Sequence, residues 1–202
     1  MKLYYMKGAC SLASYISLNE AGIKFEAVEI NHQTHKTRGG EDLNAINSKD
    51  YVPVLRLDNG EILTENVAVL QYIADRNPGA KLAPAAGTME RYHLMEWLSF
   101  INSEVHKNFS PLFRQDAPED TKQYVRKMLG QRVGYIERTL GDKSYLTGEQ
   151  FTVADAYLFT VLSWGTRVDV DIDQWPKIKR YVERVSKRPH VIEALKAEGL
   201  LK

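Results

Sequence analysis

The chain has one cysteine in 202 residues, so it has no internal disulfide and no second thiol to resolve one. No apolar run approaches the roughly 20 residues that a bilayer-spanning helix needs, so no membrane association is expected. Ahead of Leu3-Tyr4-Tyr5-Met6 there is only Lys2, and Lys7 follows, which is too short for a secretory leader. One cysteine and no export signal point to a reducing cytoplasm. Charge of one sign is also missing: 27 Lys and Arg face 26 Asp and Glu, a net +1, which leaves no electrostatic case for nucleic acid. His32, His93 and His190 form no metal-ligand spacing with acids or with the cysteine, so no metal is expected.

The lone thiol, Cys10, sits in Lys7-Gly8-Ala9-Cys10-Ser11, between a short strand-like run and a helix-like run. Free N–H groups and the positive end of the helix dipole meet at such a turn, and both favour a thiolate. A free cysteine is also among the most buried residue types and often acts as a small hydrophobe. The position leaves both alternatives open.

Further along, the periodicity changes character. Lys2 to Tyr5 reads as a strand, and 11–21 as a helix on Leu12, Tyr15, Ile16 and Leu18, stopped by Gly22. Phe25, Ala27, Val28 and Ile30 suggest a second strand, and 31–47 a polar loop with a short irregular helix. Val52-Pro53-Val54-Leu55-Arg56-Leu57, then Asp58-Asn59-Gly60, then Glu61-Ile62-Leu63-Thr64 is a hairpin signal. Glu65-Asn66 opens a helix that closes near Asn77-Pro78-Gly79. A βαβ unit followed by a hairpin implies a mixed sheet. Residues 80–87 are small and Pro/Gly-containing, as in a linker. Beyond them helix-like runs span 88–110, 119–140, 153–168, 176–187 and 189–198, with no strand pattern. The expected division is an α/β domain over 1–79, a linker over 80–87 and an all-helical bundle over 88–202.

Several motifs carry more than one reading. Pro53 is either a strand-start proline in the common trans form or the place for a cis bond. Glu65-Asn66 is either an N-cap with an acidic neighbour or a carboxylate-binding helix start. In the 88–110 helix, Leu94, Leu98, Ile101 and Val105 make the core stripe. Ser99, Ser103 and His106 fall on the opposite side, as a solvated face or as the wall of a site. Thr152-Val153-Ala154-Asp155 is a Thr-x-x-Asp capping box expected to serve folding. Trp97, Trp164 and Trp175 lie in helical patterns and are expected in the core. The basic run from Lys177 to Arg188 reads as a solvated helix face.

The α/β half, with Cys10 at its first strand-to-helix turn and Val52-Pro53 at the hairpin, resembles a thioredoxin fold. Together with the helical half and its capping box it resembles the cytosolic glutathione S-transferases. Gly8-Ala9-Cys10-Ser11 with His106-Lys107 resembles the bacterial beta class. The resemblance spans the whole chain. It implies a homodimeric transferase that conjugates reduced glutathione, as co-substrate, to apolar electrophiles, the electrophile site being built by the helical domain. It also admits a Cys10-dependent thiol-disulfide or peroxidase activity on disulfide substrates.

By that resemblance Cys10 and His106 are catalytic, and the glutathione-binding residues are Ala9, His35, Tyr51, Val52, Pro53, Glu65, Asn66, Ser99, Ser103 and Lys107. Val52 would pair with the cysteinyl backbone through a cis Val52–Pro53 bond, and Glu65-Asn66 would hold the γ-glutamyl end. Thr152 and Asp155 are structural. The chain departs from the family in having Lys7 where Pro is common, His35 where Lys is frequent, and Ser99 where Asn is common. The alternatives are a glutaredoxin-like oxidoreductase or peroxidase, against which stands the missing second cysteine after Cys10, and a non-catalytic ligand-binding protein on the same fold.

Overall fold

The computed structural model describes residues 1–201. It divides into two compact units: Met1–Ala83 together with the segment from Arg188 onward, and Pro84–Lys187.

The first unit runs β1 (Lys2–Tyr5), α1 (Ser11–Glu20), β2 (Glu26–Glu29), α2 (Leu43–Ile46), β3 (Val54–Arg56), β4 (Ile62–Thr64) and α3 (Asn66–Arg76). Its sheet has the order β2-β1-β3-β4, with β1 parallel to β2 and both other pairs antiparallel. The mixed sheet expected from a βαβ unit followed by a hairpin is therefore present. Leu3 lies opposite Ala27 and Leu55, and Tyr4 opposite Val28 and Val54, so the central strand buries residues on both of its faces. On one face Tyr4, Met6, Ile30, Leu43, Ile46 and Val54 form a cluster. Each fully buried aliphatic of this kind contributes about 1.5–3 kcal/mol. Gly60, at φ 86, takes the left-handed position of the hairpin turn, where a Cβ would be strained.

α1 is buried along most of its surface, including Ser11, Ser14 and Ser17. Small hydroxyl residues suit that place because α3 and a later helix both pack on α1. That later helix is α9 (Pro189–Ala197), and it changes the expected division. The sequence pattern places 88–202 in one helical bundle, yet the segment from Arg188 onward belongs to the first unit. Val191 and Ala194 of α9 are fully buried. Arg188 forks onto Glu20 at 2.7 and 2.8 Å, and the Gly8 N–H donates to Glu198 at 2.7 Å. A periodic helix shows which face it buries, not which partner buries it.

The second unit contains α4 (Met89–Phe100), a π-helical turn (Ile101–His106), α5 (Lys107–Phe113), α6 (Glu119–Leu140), α7 (Val153–Leu162) and α8 (Pro176–Ser186). Leu94, Leu98, Ile101 and Val105 are fully buried, as the apolar spacing implies. The π-turn is not legible in that spacing. It interrupts what reads as one continuous helix, and such turns recur at functional sites. All ten residues of α7 are buried, consistent with a central helix that is apolar all round. Of the tryptophans, Trp164 is buried, while Trp97 and Trp175 are half-buried, Trp175 at the N-cap of α8.

Candidate functional site

In the first unit the chain leaves β1 at Tyr5, turns through Gly8 at φ 66, and enters α1 with Cys10 as its N-cap. Ala9 packs against the core cluster. The Cys10 thiol donates to the Val52 carbonyl at 3.3 Å, and the Val52–Pro53 bond is cis. Cys10 and Ser11 N–H groups point at the sulfur and pull its pKa down, but burial dominates and pushes the thiol up to about 12. Of the two readings that the helix start leaves open, burial favours the neutral thiol, which donates to Val52. Helix-dipole and N–H stabilisation fade against desolvation once the sulfur is buried beside Val52.

Val52 is half-buried, and among the described residues its N–H has no acceptor. Pro53 is buried at the start of β3, and Tyr51 is exposed. Glu65, not Asn66, is the N-cap of α3, and it adopts φ 68, an unusual backbone for a residue with a Cβ. Its carboxylate is held by Lys49 at 2.7 Å, and Lys49 also donates to Thr64 at 3.1 Å. Asn66 is buried, and its side chain faces inward. Its Oδ1 accepts from Ser14 at 2.8 Å and its Nδ2 donates to the Cys10 carbonyl at 3.2 Å. That side chain ties the start of α3 to the start of α1. His35 lies in the loop before α2, at φ 53, with Nδ1 2.7 Å from Asp50 Oδ2.

In the second unit Ser99, Ser103 and Lys107 are exposed, and Ser103 donates to the Ser99 carbonyl at 3.0 Å. His106 does not share their stripe. The π-turn carries its ring inward, with Nδ1 2.6 Å from the Tyr157 hydroxyl and an edge-on contact to Trp164 at 4.9 Å. Burial, with Lys107 adding to it, pulls the imidazole down to about 4. Phe109 and Phe113 meet Trp164 edge to face, and the Arg167 guanidinium lies over Phe113, so an aromatic wall adjoins His106. Asp155 is fully buried: Oδ2 accepts from the Thr152 N–H and hydroxyl at 2.8 and 2.9 Å, Oδ1 from the Leu146 N–H and Tyr181 hydroxyl at 2.9 and 3.0 Å.

Sequence reasoning missed Lys49, Asn102, Tyr157 and Glu198. Lys49 precedes the cis-proline segment and Asn102 lies one turn before His106, but nothing in their spacing marks either. Tyr157 reads as one more apolar residue of α7. A hollow of about 840 Å³ in the first unit is lined by Tyr4, Glu26, Glu29, Lys36 and Arg38, among others, and it includes none of the candidate site residues. Among the described residues no group of three His, Cys, Asp or Glu side chains is placed to hold a metal ion, and no helix is long and apolar enough to cross a membrane.

A strand-turn-helix with a thiol at the turn, a cis-proline strand start beside it, and the order β2-β1-β3-β4 define the thioredoxin-like class, here joined to a helical unit. The family description "Glutathione S-transferase, N-terminal domain" matches residues 14–81, and "Glutathione S-transferase, C-terminal domain" matches residues 97–189. Glutathione S-transferase GstA of Escherichia coli O157:H7 is 44% identical over 200 residues, covering 99% of this chain and 100% of that protein. A beta-class glutathione S-transferase of Sphingomonas chungbukensis superposes with a TM-score of 0.96 at 45% identity, over 100% of both chains. A sphingomonad glutathione S-transferase complexed with glutathione gives 0.95 at 43% identity, over 99% of this chain and 100% of that one. The chain belongs to the glutathione S-transferase family, and its solved relatives include the bacterial beta class.

Proposed function

We propose that this protein conjugates reduced glutathione to apolar electrophiles, binding the tripeptide on the first unit. The observation that carries the reading is the open edge at Val52. An N–H without an acceptor, next to a carbonyl held only by a thiol, is a two-bond docking edge for an extended peptide. The cysteinyl backbone of glutathione would pair there, with Ala9, Tyr51 and Pro53 around it. The first-turn N–H groups of α3 suit the γ-glutamyl carboxylate. Glu65 would receive the γ-glutamyl ammonium in exchange for Lys49, and the unusual backbone of Glu65 supports a role at a ligand. His35, oriented by Asp50, would face the glycyl carboxylate. For Ser99, Ser103, His106 and Lys107 of the second unit, a part in glutathione or electrophile binding rests on the family resemblance alone.

Cys10 enters this reading as a donor that holds the Val52 carbonyl, not as the nucleophile. A glutaredoxin-like activity through a Cys10 thiolate draws no support from a thiol raised to about 12. A homodimer in the cytoplasm is part of the proposal and rests on the family alone. Retention on immobilised glutathione, followed by turnover with an activated aromatic halide, tests it. Glu65→Ala should lose retention while melting within a few degrees of the parent. A protein that neither binds glutathione nor turns over any halide is a ligand carrier on the same fold.

A further inference from the structure

Three polar atoms of the second unit form a chain with a direction. The Tyr157 hydroxyl is 3.0 Å from Asn102 Oδ1 and 2.6 Å from His106 Nδ1. One hydroxyl hydrogen serves one of them. The amide oxygen carries no hydrogen, so Tyr157 donates to Asn102, and its own oxygen is left to accept. Nδ1 of His106 must then hold a hydrogen. The ring is neutral at pH 7, because burial pulls its pKa far below that. A neutral ring with its hydrogen on Nδ1 has a lone pair on Nε2.

Nε2 has no hydrogen-bond partner among the described residues. It is also not sealed off: the unpartnered side-chain polar atoms shut away from solvent are Asp50 Oδ1 and Glu198 Oε1. Tyr157 is fully buried and Trp164 flanks the ring, so the imidazole is held on one side and open at one nitrogen.

We infer that Tyr157 and Asn102 are positioning residues that fix the Nδ1–H tautomer of His106 and so present Nε2 outward as a hydrogen-bond acceptor. The ligand group it takes is a donor, such as a thiol S–H, and not an anion. The inference rests on the proposed glutathione chemistry only for the identity of that donor. With glutathione, the S–H points at Nε2 while sulfur is still a thiol. A base titrating near 4 does not strip a free thiol, whose pKa is about 8.5. As a sulfur lone pair forms the bond to the aromatic carbon, the S–H becomes strongly acidic and its proton passes to Nε2. The halide then leaves with the electron pair of its bond to carbon, and the imidazolium releases its proton to water. The Nδ1–H···Oη–H···Oδ1 order is the same before and after, so no hydrogen in the chain has to turn.

Imidazole ¹⁵N spectroscopy on the full chain without glutathione at pH 7 reads the tautomer directly. A pyrrole-type signal at Nδ1 and a pyridine-type signal at Nε2 are expected; the reverse overturns the inference. Tyr157→Phe and Asn102→Leu should each mix the tautomers, and Asn102→Asp, which keeps an acceptor oxygen, should restore the parent ratio. An unchanged ratio in Tyr157→Phe, or in Asn102→Leu if the buried variant fails to fold, removes the positioning role. With the aromatic halide, Tyr157→Phe should lose about 10-fold in kcat, with the KM for glutathione within about twofold. A parental kcat in a folded Tyr157→Phe also overturns it. Adding reduced glutathione separates the two claims. A shifted Nε2 signal identifies the thiol as donor, whereas an unmoved signal with the Nδ1–H tautomer intact removes glutathione from His106 and leaves the tautomer standing.

Discussion

Burial shifts both Cys10 and His106 toward the neutral form, and for Cys10 this opposes the thiolate that a helix start favours. A thiol raised to about 12 has on the order of a thousandfold less thiolate at neutral pH than a free cysteine. Alkylation of Cys10 at pH 7.5 should therefore be much slower than that of free cysteine and should keep climbing beyond about pH 9, where free cysteine levels off; a rate faster than free cysteine would contradict the structure. Cys10→Ala should keep most of its turnover with aromatic halides, since the attacking sulfur belongs to glutathione. Two other groups link protonation to stability with opposite signs. The Glu198 carboxyl is raised from 4.5 to about 7 by burial. Its contribution is complete below 4.5 and is lost as pH rises through 7, a change of about 3 kcal/mol. The His106 imidazole is lowered from 6.5 to about 4, so its contribution is complete above 6.5 and lost as pH falls through 4. The two partly cancel between pH 5 and 6.5 in the parent. In Glu198→Gln, which keeps an acceptor for the Gly8 N–H, the melting point relative to the parent should rise from pH 5 to pH 8. A pH-independent difference would show that Glu198 is ionised throughout.

At the scale of the element, α7 shows how one side chain can organise a buried helix. Asp155 was legible from the Thr152-x-x-Asp155 spacing as a cap, but its bonds to Leu146 and Tyr181 come from other segments and have no local signature. Asp155→Ala removes the acceptor of two N–H groups and two hydroxyls in the interior, at about 1–3 kcal/mol for each one left unpaired. A loss of at least about 3 kcal/mol, and several degrees in Tm, is expected, with the folded fraction keeping its kinetic constants. Lower turnover per folded molecule at unchanged Tm would assign Asp155 to the chemistry instead. The bounds of α6, Glu119–Leu140, coincide with the expected 119–140 because its apolar stripe is regular throughout. The π-turn inside the helix read as 88–110 leaves no mark in the sequence, since Leu94, Leu98, Ile101 and Val105 keep a helical spacing straight through it.

On the scale of the whole molecule, the end of the chain is part of the first unit. Glu20 is nearly buried and forks with Arg188, so Arg188→Ala leaves a carboxylate without its cation. A destabilisation of about 2 kcal/mol is expected by urea unfolding, discounted because Arg188 keeps some exposure. Glu20→Gln in the same background should recover part of it; a neutral Arg188→Ala would mean that α9 is held by Val191 and Ala194 alone.

The sequence by itself determined which segments become strands and helices, the mixed sheet, the helical second half, and the family. Those properties follow from local periodicity, turn chemistry and short motifs such as Asn59-Gly60 and Gly8-Ala9-Cys10-Ser11. Only the tertiary structure decided that Asn66 faces inward, that Lys49 holds Glu65, that His106 turns toward Tyr157, and that α9 packs on α1. It also decided that Cys10 is a thiol. Spacing along the chain records which face of an element is apolar. The partner atom and the degree of desolvation are supplied by residues far away in sequence, and for Cys10 and His106 desolvation favours the neutral form.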